Sequence, residues 1–81
     1  MDQRREEFRS ELTQLLTHAH NELALQDVAL SEWVMECIDN YEFGLAYETI
    51  IEELNEHGIR PEGDAAKSLA AAAAIMGFNS N

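Results

Sequence analysis

Apolar residues recur with a helical period in four stretches of this chain. Phe8, Leu12, Leu15, Leu16, Ala19 and Leu23 follow one another at spacings of three and four, so they lie on one stripe of a helix predicted over residues 3–25. Arg4 and Arg5 fall near the positive end of that helix's dipole, which predicts a weakly held first turn. Asp27 has the short carboxylate that suits an N-cap. It opens a second helix, residues 28–39, with Leu30, Trp33, Val34, Cys37 and Ile38 on the apolar face and Glu32, Glu36 and Asp39 opposite. A tight connection leads to a third helix, residues 42–57, with Ala46, Tyr47, Ile50, Ile51 and Leu54 inward. Gly58 can take the left-handed position after that helix, and Ile59 can fold back on the last turn, as in a Schellman ending.

Arg60-Pro61-Glu62-Gly63-Asp64 is a loop, and a fourth helix over residues 62–76 follows it, with Pro61 in its first turn or Asp64 as its cap. It carries the alanine run at residues 70–74 together with Leu69, Ile75 and Met76, and Gly77 ends it. Alanine favours helix and lets a neighbour approach closely, so the run predicts a tight packing face. No stretch alternates with the period of a strand. The expected fold is therefore all-α, one small four-helix bundle-like domain over residues 1–81. Its core is expected to contain Phe8, Leu12, Leu16, Trp33, Val34, Ile38, Tyr47, Ile50, Ile51, Leu54, Leu69 and Met76.

Charge changes this picture. The 81 residues hold 16 acidic and 5 basic side chains, a formal net charge of -11. Between residues 11 and 59 there is no Lys or Arg, while Glu11, Glu22, Asp27 and the acids of helices two and three all fall there. Such a field repels phosphate backbones and anionic lipid and attracts basic proteins, which argues against direct nucleic-acid or membrane binding. The start, Met1-Asp2-Gln3-Arg4-Arg5-Glu6-Glu7, has no apolar run behind it, and Cys37 has no second cysteine to pair with. Both point to a cytoplasmic protein, with Cys37 a small buried hydrophobe.

Catalytic parts are not found. His18 and His20 are two residues apart and point about 200° from each other on a helix, so they cannot share a metal; both read as surface histidines. His57, at a helix C-terminus, interacts favourably with the dipole and has no nucleophile beside it. The carboxylates fall on polar faces, where none gains the raised pKa that acid/base chemistry needs. With no phosphate loop, calcium loop or nucleophile motif, the expectation is a protein that is not an enzyme and holds no metal or cofactor.

The acids themselves carry the pattern. Glu48, Glu52 and Glu56 are spaced i, i+4, i+8, and Glu32 and Glu36 repeat the spacing, although like charges so placed each destabilise a helix by a few tenths of a kcal/mol. Glu52, Glu53 and Glu56 add a further cost at the negative end of their helix. A surface shaped only for solubility interleaves both signs. Glu32, Glu36, Asp39, Glu42, Glu48, Glu52, Glu53 and Glu56 therefore form the candidate docking face for a cationic partner.

The string Ile38-Asp39-Asn40-Tyr41-Glu42-Phe43-Gly44-Leu45-Ala46-Tyr47-Glu48-Thr49-Ile50, with Leu54, Glu56 and the ending Ile75-Met76-Gly77-Phe78, resembles the MafI-type immunity proteins. The likeness covers residues 33–78, and it departs from the family at Tyr41, where glycine is frequent, and in the N-terminal helix, which has no counterpart. It implies a bacterial protein that binds and blocks a cognate secreted toxin, often a nuclease. Within the string, Gly44 and Ala46 are expected to allow close packing at a helix-turn-helix corner and Tyr47 to fill its angle. A different reading is a non-catalytic adaptor that homodimerises through the stripe Phe8, Leu12, Leu15, Leu16, if that stripe is left uncovered. A third is a nucleic-acid mimic, which shares the basic partner and predicts competition with DNA or RNA.

Overall fold

The Asp27 side chain accepts a hydrogen bond from the Leu30 backbone N–H at 3.1 Å, so the second helix starts where its cap was expected. A computed structural model of the chain describes residues 3–23 and 27–78, with side chains from residue 6 onward. Four helices make up the fold: α1 (Gln3–Leu23), α2 (Val28–Asp39), α3 (Phe43–Glu56) and α4 (Gly63–Met76). The described residues contain no strand, and the architecture is a small all-α, four-helix bundle-like domain. The side chains of Arg4 and Arg5, and the expected end of the first helix at residues 24–25, lie outside the described residues.

The longest helix, α1, packs chiefly on α4, and α2 packs chiefly on α3, while α1 also touches both α2 and α3 and so joins the two pairs. Leu12, Leu16 and Ala19 of α1 meet Val34, Cys37 and Ile38 of α2, Phe43, Ala46, Ile50 and Leu54 of α3, and Leu69 and Ala72 of α4 in one core. Each fully buried Leu, Ile or Val contributes about 1.5–3 kcal/mol relative to an exposed one. Leu15, Tyr47, Ile51 and Met76 are partly buried against that core.

Two expected core residues are not there. Phe8 is 51% exposed and Trp33 is 43% exposed. The core starts one turn beyond Phe8, at Leu12. Trp33 lies about 100° round α2 from the fully buried Val34, on the shoulder of an apolar arc too wide for its neighbours to cover. Phe43, which opens α3, is buried instead. The alanine run is also only partly a packing face: Ala72 and Ala73 are buried, whereas Ala70, Ala71 and Ala74 face solvent.

Three helices end in the same way. At Gly58 the residue has φ +65, its N–H donates to the Asn55 carbonyl at 3.2 Å, and the Ile59 N–H donates to the Leu54 carbonyl at 2.8 Å, the Schellman pattern expected there. At Gly77 the corresponding bonds run to Ala74 and Ala73. After α2 they run from Tyr41 to Ile38 at 3.0 Å and from Glu42 to Cys37 at 2.8 Å, but the left-handed residue is a tyrosine, with φ +62. The start of α4 corrects the expectation, since Pro61 lies before the helix and Asp64 lies in its first turn and does not cap it. Glu62 precedes the helix without a side-chain cap, and Gly63 opens it with φ +61.

Candidate functional site: an acidic surface around the α2–α3 corner

Seven of the eight candidate acids are exposed. Glu32, Glu36 and Asp39 lie on the solvent side of α2, Glu42 lies in the corner, and Glu48, Glu52 and Glu56 follow one exposed stripe of α3. Glu53 differs: its side chain is only 13% exposed, and its carboxylate Oε2 is paired with His57 Nε2 at 2.9 Å. It is thus engaged within the helix end and presents little surface to a partner. Glu36 and Glu42 both act on the buried Cys37. Burial first, then the negative charges of Glu42 and Glu36, push the Cys37 thiol up from its ordinary value. A raised thiol pKa keeps Cys37 protonated and unreactive, in accord with its role as packing.

Trp33 is the addition that the structure makes to this surface. It borders the acidic side of α2, next to Glu32 in sequence and one helical turn before Glu36, with Ala29 one turn behind it on the exposed side. A partly exposed indole beside carboxylates combines a large apolar contact area with charge. Such aromatic anchors carry much of the binding energy at protein interfaces. The sequence reading missed it because the same i, i+3, i+4 spacing serves both the centre and the margin of an apolar arc.

Tyr41 is a second such residue. Its ring is 54% exposed, stands 5.9 Å from the ring of buried Phe43, and carries the Arg9 guanidinium over one face, Cζ lying 4.4 Å from the ring centroid. A cation so placed over an aromatic face is attracted by its quadrupole. The sequence signal for Tyr41 was its position just after Asp39-Asn40, where a helix end normally carries glycine. The approach of Arg9, from α1, had no sequence signal.

The remaining site expectations divide. His18 is exposed, as expected, but His20 is half-buried and joins α1 to α2, its Nε2 hydrogen-bonded to Ser31 Oγ at 2.6 Å and its Nδ1 to Asn21 Oδ1 at 3.1 Å. Ligand atoms of Glu53, Glu56 and His57 lie within 4.8 Å of one another and could reach a common cation. All three belong to the last turn of α3 and its cap, where i, i+3 and i+4 side chains meet on any helix. Tyr47 is partly buried against the core and packs on Phe78, ring centroids 5.5 Å apart and planes tilted by 57°. Gly44 has room for a methyl, since an added Cβ would only touch Phe78 Cζ at 3.4 Å. Among the described residues, no helix is long and apolar enough to cross a membrane.

No family model matches the chain, and no curated protein or solved structure matches it either. The resemblance to MafI-type immunity proteins thus rests on the residues that carry it. Physical features of the surface supply the rest of the functional argument.

Proposed function

We propose that the protein is a bacterial, cytoplasmic immunity protein that binds and neutralises a cognate toxin carrying a basic, nuclease-like domain. The observation that carries this reading is the exposed Trp33 beside Glu32 and Glu36, an aromatic anchor set into an acidic helical face. A negative face attracts a basic cleft over distance and speeds encounter, and the indole supplies contact area that holds the complex once formed. Glu42, Glu48, Glu52 and Glu56 extend the negative field along the corner and α3, and Asp39 joins the two helices' acids in sequence. No catalytic step is assigned to the protein and no cofactor is needed for this role.

The adaptor reading loses the surface it requires. Leu12 and Leu16 are buried and Leu15 is partly buried in the core, which leaves only Phe8 of that stripe well exposed. A homodimer built on it has little left to bury.

The test is to immobilise the protein, pass over it the product of the neighbouring open reading frame, and measure affinity against salt. The expected result is tight binding that weakens as salt rises and again when Glu48, Glu52 and Glu56 become Gln. Trp33→Ala is expected to weaken it by more than about tenfold, the loss typical of a hot-spot aromatic. That variant should stay folded with a stability loss of about 1–2 kcal/mol, because its ring is only partly buried. No binding to that product, together with a dimer in solution, overturns the reading and restores the adaptor.

A further inference from the structure

An open groove of about 540 Å³ runs between α1 and the α2–α3 corner, lined among others by Glu6, Arg9, Thr13, Ile38, Asp39 and Tyr41. Among the described residues its walls carry two carboxylates and one guanidinium, and the guanidinium already lies on the Tyr41 ring. We infer that this groove is a receptor for an arginine side chain of a basic partner protein, with Arg9 as the internal occupant that the incoming guanidinium replaces over Tyr41. The inference rests on the reading of the protein as a binder of basic proteins, and adds to it a particular side chain, a particular place and a preference for arginine over lysine.

Charge complementarity chooses the occupant. With Arg9 displaced to solvent, the groove keeps Glu6 and Asp39 and has no further cation among its described lining residues, with Glu42 adjoining Tyr41 in the chain. An anionic ligand would meet two carboxylates there. The planar guanidinium suits the site better than an ammonium, because it stacks on an aromatic face while its N–H groups donate in its own plane to flanking carboxylates. The ring is held ready for this. The N–H groups of Tyr41 and Glu42 are both hydrogen-bonded to the end of α2, which fixes the backbone there, and Phe43, at 5.9 Å, and Arg9 flank the ring.

The experiment uses the whole protein and two short amidated peptides, Gly-Arg-Gly-Arg-Gly and its lysine counterpart, titrated while the Tyr41 ring and Trp33 indole resonances are followed by NMR. Expected is a saturable shift of the Tyr41 ring with the arginine peptide and about two- to fivefold weaker binding of the lysine peptide, the scale of an exposed cation–π preference. Arg9→Ala should tighten arginine-peptide binding by a similar factor, since the internal competitor is gone. Tyr41→Gly, whose fold is checked by circular dichroism and melting, should abolish the selectivity.

Equal binding of the two peptides, weaker binding by Arg9→Ala, or unchanged selectivity in Tyr41→Gly overturns the inference. The failure of the broader reading looks different. If the peptides perturb the Trp33 indole in a salt-dependent way but bind Tyr41 without preference, only the arginine groove is lost. If neither resonance responds and the neighbouring gene product does not bind, the basic-partner reading falls as well.

Discussion

The ends of α2 and α3 close with the same two backbone hydrogen bonds, yet one places tyrosine and the other glycine at the left-handed position. At Gly58 nothing lies within 4 Å of where a Cβ would stand, and the residue that folds back, Ile59, is 48% exposed. That end is made by local chemistry: a residue free to adopt positive φ, in a loop that little else constrains. At Tyr41 the backbone takes a conformation that its side chain disfavours. Buried Phe43 just beyond it, the Tyr41–Phe43 contact and Arg9 from α1 surround the turn. The same motif is thus specified locally in one place and imposed by tertiary packing in the other. Where a fold imposes strain on an exposed aromatic, the residue's use for binding is a better explanation than its contribution to stability.

The comparison breaks first at the residues that brace each turn. Phe43→Ala should cost about 3–5 kcal/mol, the range for a buried aromatic, and so take most of the stability of a domain this small, whereas Ile59→Ala should cost under about 1 kcal/mol. Urea denaturation of the two variants checks this. Similar losses would show that the two ends are held alike.

Substitution at the left-handed residues comes next. Gly58→Ala should destabilise by about 1–2 kcal/mol, because alanine there meets the steric cost of positive φ with no compensating contact. Tyr41→Gly should go the other way and stabilise by about 1 kcal/mol, since relief of the same cost exceeds the loss of an exposed ring and its cation contact. Melting temperatures that rise for Tyr41→Gly while partner binding falls would mark the corner as strained for function. A fall in both would make Tyr41 a structural residue.

The smallest effect concerns Cys37, beneath the corner. Its thiol pKa is raised in the folded protein by burial and by Glu42 and Glu36. Below the ordinary thiol value both folded and unfolded chains hold the proton and stability does not depend on it. As pH rises above that value the unfolded chain releases the proton first, so this contribution to stability is lost toward and through the raised folded value. Unfolding free energies measured at pH 8 and pH 10 should therefore drop more for the parent than for Cys37→Ala. An equal drop in the two would show that Cys37 feels no such field. For the same reason a thiol reagent at pH 8 should modify Cys37 only as fast as the chain opens.

The expected helices 3–25, 28–39, 42–57 and 62–76 compare with described spans of Gln3–Leu23, Val28–Asp39, Phe43–Glu56 and Gly63–Met76. This much was legible because caps and terminators act within a few residues: Asp27 reaches the Leu30 N–H, and Gly58 and Gly77 need only their own freedom of φ. The acids of the candidate site were legible for a similar reason, since i, i+4 spacing alone puts Glu32 and Glu36, or Glu48 and Glu52, on one side of a helix. Availability was not. Only the packed structure shows that Glu53 is largely covered and that Trp33 is not.

What the sequence determined by itself was the set of helices, the all-α class and the negative charge of the central helices, because these depend on periodicity, local caps and composition. Tertiary structure alone decided which part of each apolar arc is covered. It buried Phe43 and Ala72, left Trp33 and Phe8 at the surface, and carried Arg9 across to Tyr41. Those outcomes depend on how far neighbouring helices extend and which segments distant in the chain come to lie side by side, quantities that no spacing within a single helix contains.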